Sequence, residues 1–244
     1  MMKNKINDID AVPTKRIFLS IIADYDLNRA ICELIDNALD NWVKNNKRHK
    51  LIVEIFIDLE QQTISVKDNS GGIRESELRS IVSPGETSND PNSEIIGIFG
   101  VGTKRAVVAL AKDVKIKSRH DKAKTYLVEF DDDWLKDDNW NLPYYEVDDI
   151  DNSNTLIQLQ SLRFNINDGM IKYLRKYLSM TYGKLISDEK FQIILNDKPV
   201  LPANFENWAY PPNFKPKKIK GNIDLGNGEV VKVKILAGLS KESS

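Results

Sequence analysis

The segment that most limits what this chain can become runs from Asp26 to Trp42, DLNRAICELIDNALDNW. Leu27, Ala30, Ile31, Leu34, Ile35, Ala38, Leu39 and Trp42 recur at helical spacing and make one apolar stripe. Asp24 or Asp26 can cap its start by accepting backbone N–H bonds that find no partner inside the helix. At about 100° per residue, Glu33, Asn37 and Asp40 share the face turned away from the stripe. Four of the six residues from 36 to 41 are Asp or Asn, which are mediocre in a helix interior. A helix that needed only a wet face would use Glu, Lys or Gln. By itself the segment reads equally as an amphipathic helix with a solvated acidic side, or as a carboxylate base one turn from a carboxamide able to hold a hard cation. The pieces that follow it decide.

With 244 residues, 41% apolar and 29% charged, the chain has ample material for a core and is long for one domain. Its 35 basic and 36 acidic residues leave a net charge of −1, which excludes a global electrostatic pull toward nucleic acid. A single cysteine, Cys32, excludes an internal disulfide and fits a reducing compartment; it reads as a small buried thiol. Residues 1–12 carry no continuous apolar run, and no stretch is long and apolar enough to cross a bilayer. The expectation is a soluble, cytoplasmic protein without a membrane partner.

Residues 1–13 read as an arm, and 16–23 as a short helix leading into the central one. Residues 44–50 form a polar connector in which His49 has no ligand-like companion. Alternation predicts strands over 51–59 and 63–67 with a hairpin-sized gap. The second strand runs into Asp68-Asn69-Ser70-Gly71-Gly72-Ile73, followed by a short helix over 75–82. Residues 83–94 contain no large apolar side chain and read as a mobile loop. A helix is expected over 105–110 and strands over 114–117, 125–130 and 155–160. Residues 131–154, dense in Asp and Asn, lack the Gly and closing Glu of a calcium loop. They read as a solvated excursion anchored by Trp134, Trp140, Tyr144 and Tyr145. A second helix spans 168–185, with Ile171, Leu174, Tyr177, Leu178 and Thr181 on one side. Then come a β-turn-β unit over 191–200, a Pro-rich basic segment over 211–220 and a strand over 229–237.

Gly97-Ile98-Phe99-Gly100-Val101-Gly102-Thr103-Lys104 nearly matches a P-loop, but that motif needs Lys before Ser or Thr. A dinucleotide fingerprint fails for want of its third Gly. What survives is physical. Backbone N–H groups of Gly100, Val101 and Gly102 at a helix start can cradle phosphate oxygens, and Lys104 would add a cation.

Glu33-x-x-x-Asn37-x-x-Asp40, then Asp68-Asn69-x-x-Gly72-Ile73, then a polar loop and Gly97-x-x-Gly100-x-Gly102 resemble the GHKL ATPase superfamily. That group comprises gyrase B, Hsp90, MutL, sensor histidine kinases and the MORC proteins, and the similarity spans roughly residues 14–185. It implies an α+β, Bergerat-type two-layer α/β sandwich, a mixed sheet covered by helices. The resemblance also implies a role for each matching residue. Asn37 would coordinate the Mg²⁺ that bridges the phosphates, and Glu33 would deprotonate the attacking water. Asp68 would accept the adenine amino hydrogen bond, supported by Thr155, and Gly72 beside Ile73 would let adenine approach. The loop 83–94 and the turn Gly97, Gly100, Val101, Gly102, running on into Thr103 and Lys104, would close over the phosphates. Asp40 would bridge through water. One departure stands out: Ser70 follows the Asp-Asn pair where the family usually has Gly.

Residues 191–202 with the closing strand are similar to the start of an S5-like transducer in the MORC and MutL branch. The expected domains are an arm over 1–13, a GHKL ATP-binding domain over 14–185 and a partial transducer over 186–244, with more chain to follow. A transducer lysine completes the γ-phosphate site in relatives; Lys234 and Lys241 are weak candidates. The resemblance implies slow, Mg²⁺-dependent ATP hydrolysis coupled to homodimerisation. DNA is a partner only through regions outside this chain, and Lys215, Lys217, Lys218 and Lys220 read as a solvated loop. An Hsp90-like chaperone ATPase and an ATP-binding pseudoenzyme switch are the alternatives. Glu33, and two histidines neither of which sits in a dimerisation helix, favour hydrolysis over histidine phosphorylation.

Overall fold

The strands of the main sheet set rows of buried apolar residues on one face, and the pairing register brings those rows together. The computed structural model of the chain describes residues 15, 25–82, 102–203, 216–226 and 228–238. The expected helix at 16–23, the loop 83–94, Gly97, Gly100, Val101, Lys215 and Lys241 lie outside these residues. The first described helix is α1 (Leu27–Lys44), capped by Asp26, whose carboxylate accepts from Arg29 N at 2.8 Å. Strands β1 (Leu51–Asp58) and β2 (Thr63–Asp68) form an antiparallel hairpin. A 3₁₀ turn (Glu75–Glu77) and the one-turn helix α2 (Arg79–Val82) follow, where a continuous short helix was expected.

Helix α3 (Gly102–Leu110) runs without a loop into β3 (Ala111–Arg119), which is longer than its apolar alternation indicates. Strand β4 (Thr125–Phe130) precedes a region read from sequence as solvated. That region contains the short helix α4 (Asp132–Lys136) and an edge strand β5 (Tyr144–Val147) before β6 (Asn154–Leu162). Its aromatics do the anchoring. Tyr126 and Tyr144 hydroxyls both donate to Glu75, at 2.8 Å each. Trp134 packs on Phe130, and the buried Lys15 ammonium lies 4.1 Å from the Trp134 ring centroid while donating to Asn139 O at 2.7 Å.

The helix expected over 168–185 breaks at Tyr182 into α5 (Asp168–Thr181) and α6 (Gly183–Ile186). Thr181 is exposed, and Tyr182 takes the buried position instead. Residues 191–200, expected to open a second domain, form β7 (Phe191–Leu195) and β8 (Lys198–Pro199). The eight strands lie in the order β5-β4-β3-β6-β2-β1-β7-β8. Strands β1 and β7 are parallel and the other neighbours antiparallel, so the sheet is mixed. Asn196 ties the parallel pair, its Oδ1 accepting from Ile57 N and its Nδ2 donating to Ile57 O.

One sheet face is covered. Val53, Ile55, Ile57, Ile64, Val66, Val114, Ile116, Ile157, Leu159, Ile193 and Leu195 are buried in a single cluster with the α1 stripe, Ala106, Leu110, Leu174 and Leu178. The opposite face carries Glu54, Phe56, Lys67, Lys115 and Gln158, none of them buried. This is the two-layer α+β sandwich with a helix layer on one side of a mixed sheet.

The chain divides into compact units at Met1–Pro202 and Ala203–Ser244. Within the second, β9 (Lys217–Asp224) and β10 (Val230–Ala237) form an antiparallel hairpin. Lys217, Lys218 and Lys220, read from sequence as loop, lie in β9, and Lys234 lies in β10.

Candidate functional site

Across the covered face the register aligns three rows. Ile57, Ile64, Leu159, Val114 and Phe130 form one, and Leu195, Ile55, Val66, Ile157, Ile116 and Val128 the next. The third is Ile193, Val53, Asp68, Thr155, Ser118 and Tyr126, with polar side chains on three adjacent strands. Asp68, Thr155 and Ser118 are all buried. An apolar sheet face bears the desolvation cost of such a row only where the groups are hydrogen-bonded or serve a ligand. Ser118 Oγ lies 2.9 Å from Thr155 Oγ1 and accepts from Ile73 N at 2.8 Å. Asp68 Oδ1 accepts from Ser70 N at 3.0 Å. Burial pushes the Asp68 carboxyl above the usual range, and hydrogen bonds from Ser70 oppose that rise.

The loop after Asp68 explains the departure at Ser70. This residue is buried, and its hydroxyl accepts from Asn41 Nδ2 at 2.9 Å. The same amide donates to Gly72 O at 3.1 Å, and Asn45 Nδ2 reaches Ser70 O at 3.3 Å. Ser70 thus serves as the joint between α1 and the Asp68 loop. The turn itself falls to the two glycines that follow. Gly72 has φ +67°, and a Cβ there would lie 2.0 Å from Arg119 O. Its lack of a side chain is therefore demanded by β3. His120 Nδ1 lies 2.8 Å from Gly71 O and closes the loop from the same strand end.

On α1, Glu33 and Asn37 are half-buried one turn apart, as spacing requires. Asn37 Nδ2 donates back to Glu33 O at 2.5 Å, which turns its Oδ1 end outward as the acceptor. Glu33 Oε1 accepts from the Tyr25 hydroxyl at 2.9 Å. Asp40, expected on the wet face, is buried. Lys104, expected to face phosphate, is also buried within α3. Gly102 and Thr103 open α3, and their side chains fall outside the description. The Asp68, Gly72, Ile73 and Thr155 group is therefore assembled at one place. It is joined through Asn41 to the helix that carries Glu33 and Asn37.

The far side of α1 is pinned separately. Tyr182 donates to Asp36 Oδ1 at 2.7 Å and to Cys32 O at 3.1 Å. Burial raises the Asp36 carboxyl above its ordinary range and the Cys32 thiol to about 11. Elsewhere, Lys67 and Arg119 line an open cleft on the uncovered sheet face, paired with Asp151 at 2.7 Å and Asp149 at 2.8 Å.

Sequence reasoning missed Ser118, Asn41, Tyr25 and Tyr182, and it flagged Ser70 only as a departure. Ser118 had a usable signal, since it continues the inward series Val114, Ile116. Asn41 continues the Glu33, Asn37 series by one more turn.

Comparison with known proteins agrees with this geometry. The family model for the histidine kinase-, DNA gyrase B- and HSP90-like ATPases matches residues 25–161. Among solved structures, the ATPase and transducer domains of DNA topoisomerase II from Balamuthia mandrillaris are similar, with a TM-score of 0.55 at 19% identity. The match covers 74% of this chain and 49% of that one, so the chain spans about half its length, and the likeness is one of fold. No curated protein matches the sequence. The matched segment is more than half of the chain and contains the polar row, its loop and α1: this protein belongs to the GHKL family of histidine kinase-, DNA gyrase B- and HSP90-like ATPases.

Proposed function

We propose that this chain is an ATP-binding, slowly hydrolysing Mg²⁺-dependent module that drives nucleotide-dependent dimerisation of a MORC/MutL-like protein in the cytoplasm, in DNA transactions or defence. The observation that carries the reading is the buried row Asp68, Thr155, Ser118 on a sheet face otherwise apolar, tied by Asn41 to the helix of Glu33 and Asn37. A buried carboxylate flanked by hydroxyls suits the amino and ring-nitrogen edge of adenine, which offers a donor beside an acceptor.

The donor chemistry fits Mg²⁺, which takes few protein oxygens and keeps its waters; Asn37 would hold it. When bound, the ion would neutralise charge on the phosphates. Glu33 then orients a water and takes its proton as the water oxygen attacks the γ-phosphorus. The bond to the β–γ bridging oxygen breaks, and ADP leaves. In this reading residues 186–244 begin a transducer whose β7 is added to the sheet of the nucleotide module.

Calorimetry of ATP binding with and without Mg²⁺ tests this on the wild type, Asn37→Ala and Asp68→Asn. ATP should bind the wild type more tightly with Mg²⁺, Asn37→Ala should lose that gain, and Asp68→Asn should bind neither form. Absence of ATP binding by the wild type rejects the reading. ATP binding with turnover equal to that of Glu33→Ala reduces it to a nucleotide switch.

A further inference from the structure

Tyr25 is placed to act on the chemistry of Glu33 without touching nucleotide. It immediately precedes the α1 cap, two helical turns from Glu33, and its hydroxyl donates to Glu33 Oε1 at 2.9 Å. The ring is half-buried against the core on one side. On the other, the Arg105 guanidinium carbon lies 4.6 Å from its centroid, a cation–π contact from the second turn of α3. A ring held between core and guanidinium has little freedom, so its hydroxyl presents one direction. Burial and the Glu33 carboxylate push the phenol up to about 12, which keeps it a donor wherever the protein works. The charged groups facing this pair are Arg29 and Asp36 on α1 and Arg105 on α3.

A carboxylate has two oxygens, and a base that must meet one water benefits from having one of them occupied. We infer that Tyr25 is a positioning residue for Glu33: its hydroxyl holds Oε1, turning Oε2 toward the attacking water, with Arg105 bracing the ring from the helix behind the phosphate turn. The inference rests on the reading of Glu33 as the base. It ties that base to α3, the element that opens at Gly102, so that the two halves of the reaction site are linked by one side chain.

Tyr25→Phe tests it, because the variant keeps the ring and the Arg105 stack and deletes only the donor. In the full chain, kcat for ATP should fall by about tenfold, with KM and the calorimetric ATP affinity unchanged. In a Glu33→Gln background, Tyr25→Phe should cause no further loss, since it acts through Glu33. Wild-type kcat in Tyr25→Phe, beside an inactive Glu33→Gln, overturns the inference alone. So does a parallel loss of ATP affinity and thermal stability. A wild type no faster than Glu33→Gln overturns the base reading and the inference with it.

Discussion

The two ends of α1 are held in unlike ways. Its C-terminal half is locked by a web: Asn41 and Asn45 amides reach Ser70 and Gly72, and Ser70 in turn holds Asp68. On its N-terminal half, the Glu33 carboxylate accepts from a tyrosine braced by an arginine. Two of the bonds in this web fall on backbone carbonyls of the loop, at Ser70 and Gly72. The phenol is held instead by the core and by an arginine of α3. The difference teaches that the Asp68 loop is fixed to α1 through several bonds, while the Glu33 carboxylate is oriented by a phenol that a second helix braces.

The largest effect expected is at Gly72. Ala there would carry a Cβ into Arg119 O at positive φ, costing roughly 2–4 kcal/mol in urea unfolding and moving the loop off Asp68. A neutral outcome would break the claim that this end is rigid. Asn41→Ala should cost less, about 1–2 kcal/mol, because two bonds to the loop go unmade. ATP affinity should fall with it, as calorimetry would report.

Asp68→Asn should act in the opposite sense on stability. Its carboxyl is raised in the fold by burial, so folding disfavours its charged form relative to the unfolded chain. The contribution of that group is present below the unfolded value and is lost as pH rises through the folded one. The amide should therefore melt higher than the wild type at neutral pH, with the advantage vanishing in acid, while ATP no longer binds. Tyr25→Phe should be the mildest, altering stability by about 0.5 kcal/mol or less while changing turnover. A stability loss matching that of Asn41→Ala would erase the contrast between the two ends.

Much of the architecture was legible. The α1 stripe and the alternation in β1, β2, β4 and β6 name their buried residues directly, because one face of each element is covered. The polar row was legible at Asp68 and Thr155 through motif spacing and not at Ser118, whose importance depends on which strand lies beside β6. Pairing across a sheet has no local signature. Tyr25 escaped for a related reason, since a contact spanning eight residues exceeds the i, i+4 reach by which helical neighbours are recognised. Residues 131–154 hid a helix and a strand because their Asp and Asn content favours turns and their elements are four and five residues long.

The order of the eight strands carries a last consequence. One margin of the ladder is β5, four residues long with Tyr144 and Tyr145 facing solvent. The other is β8, two residues ending in a proline that has no N–H to give. Both are stubs, and stubs make poor templates for a neighbour's backbone. Copies of this module crowded together have little to zip along at these two margins, which leaves side-chain surfaces to choose how they associate.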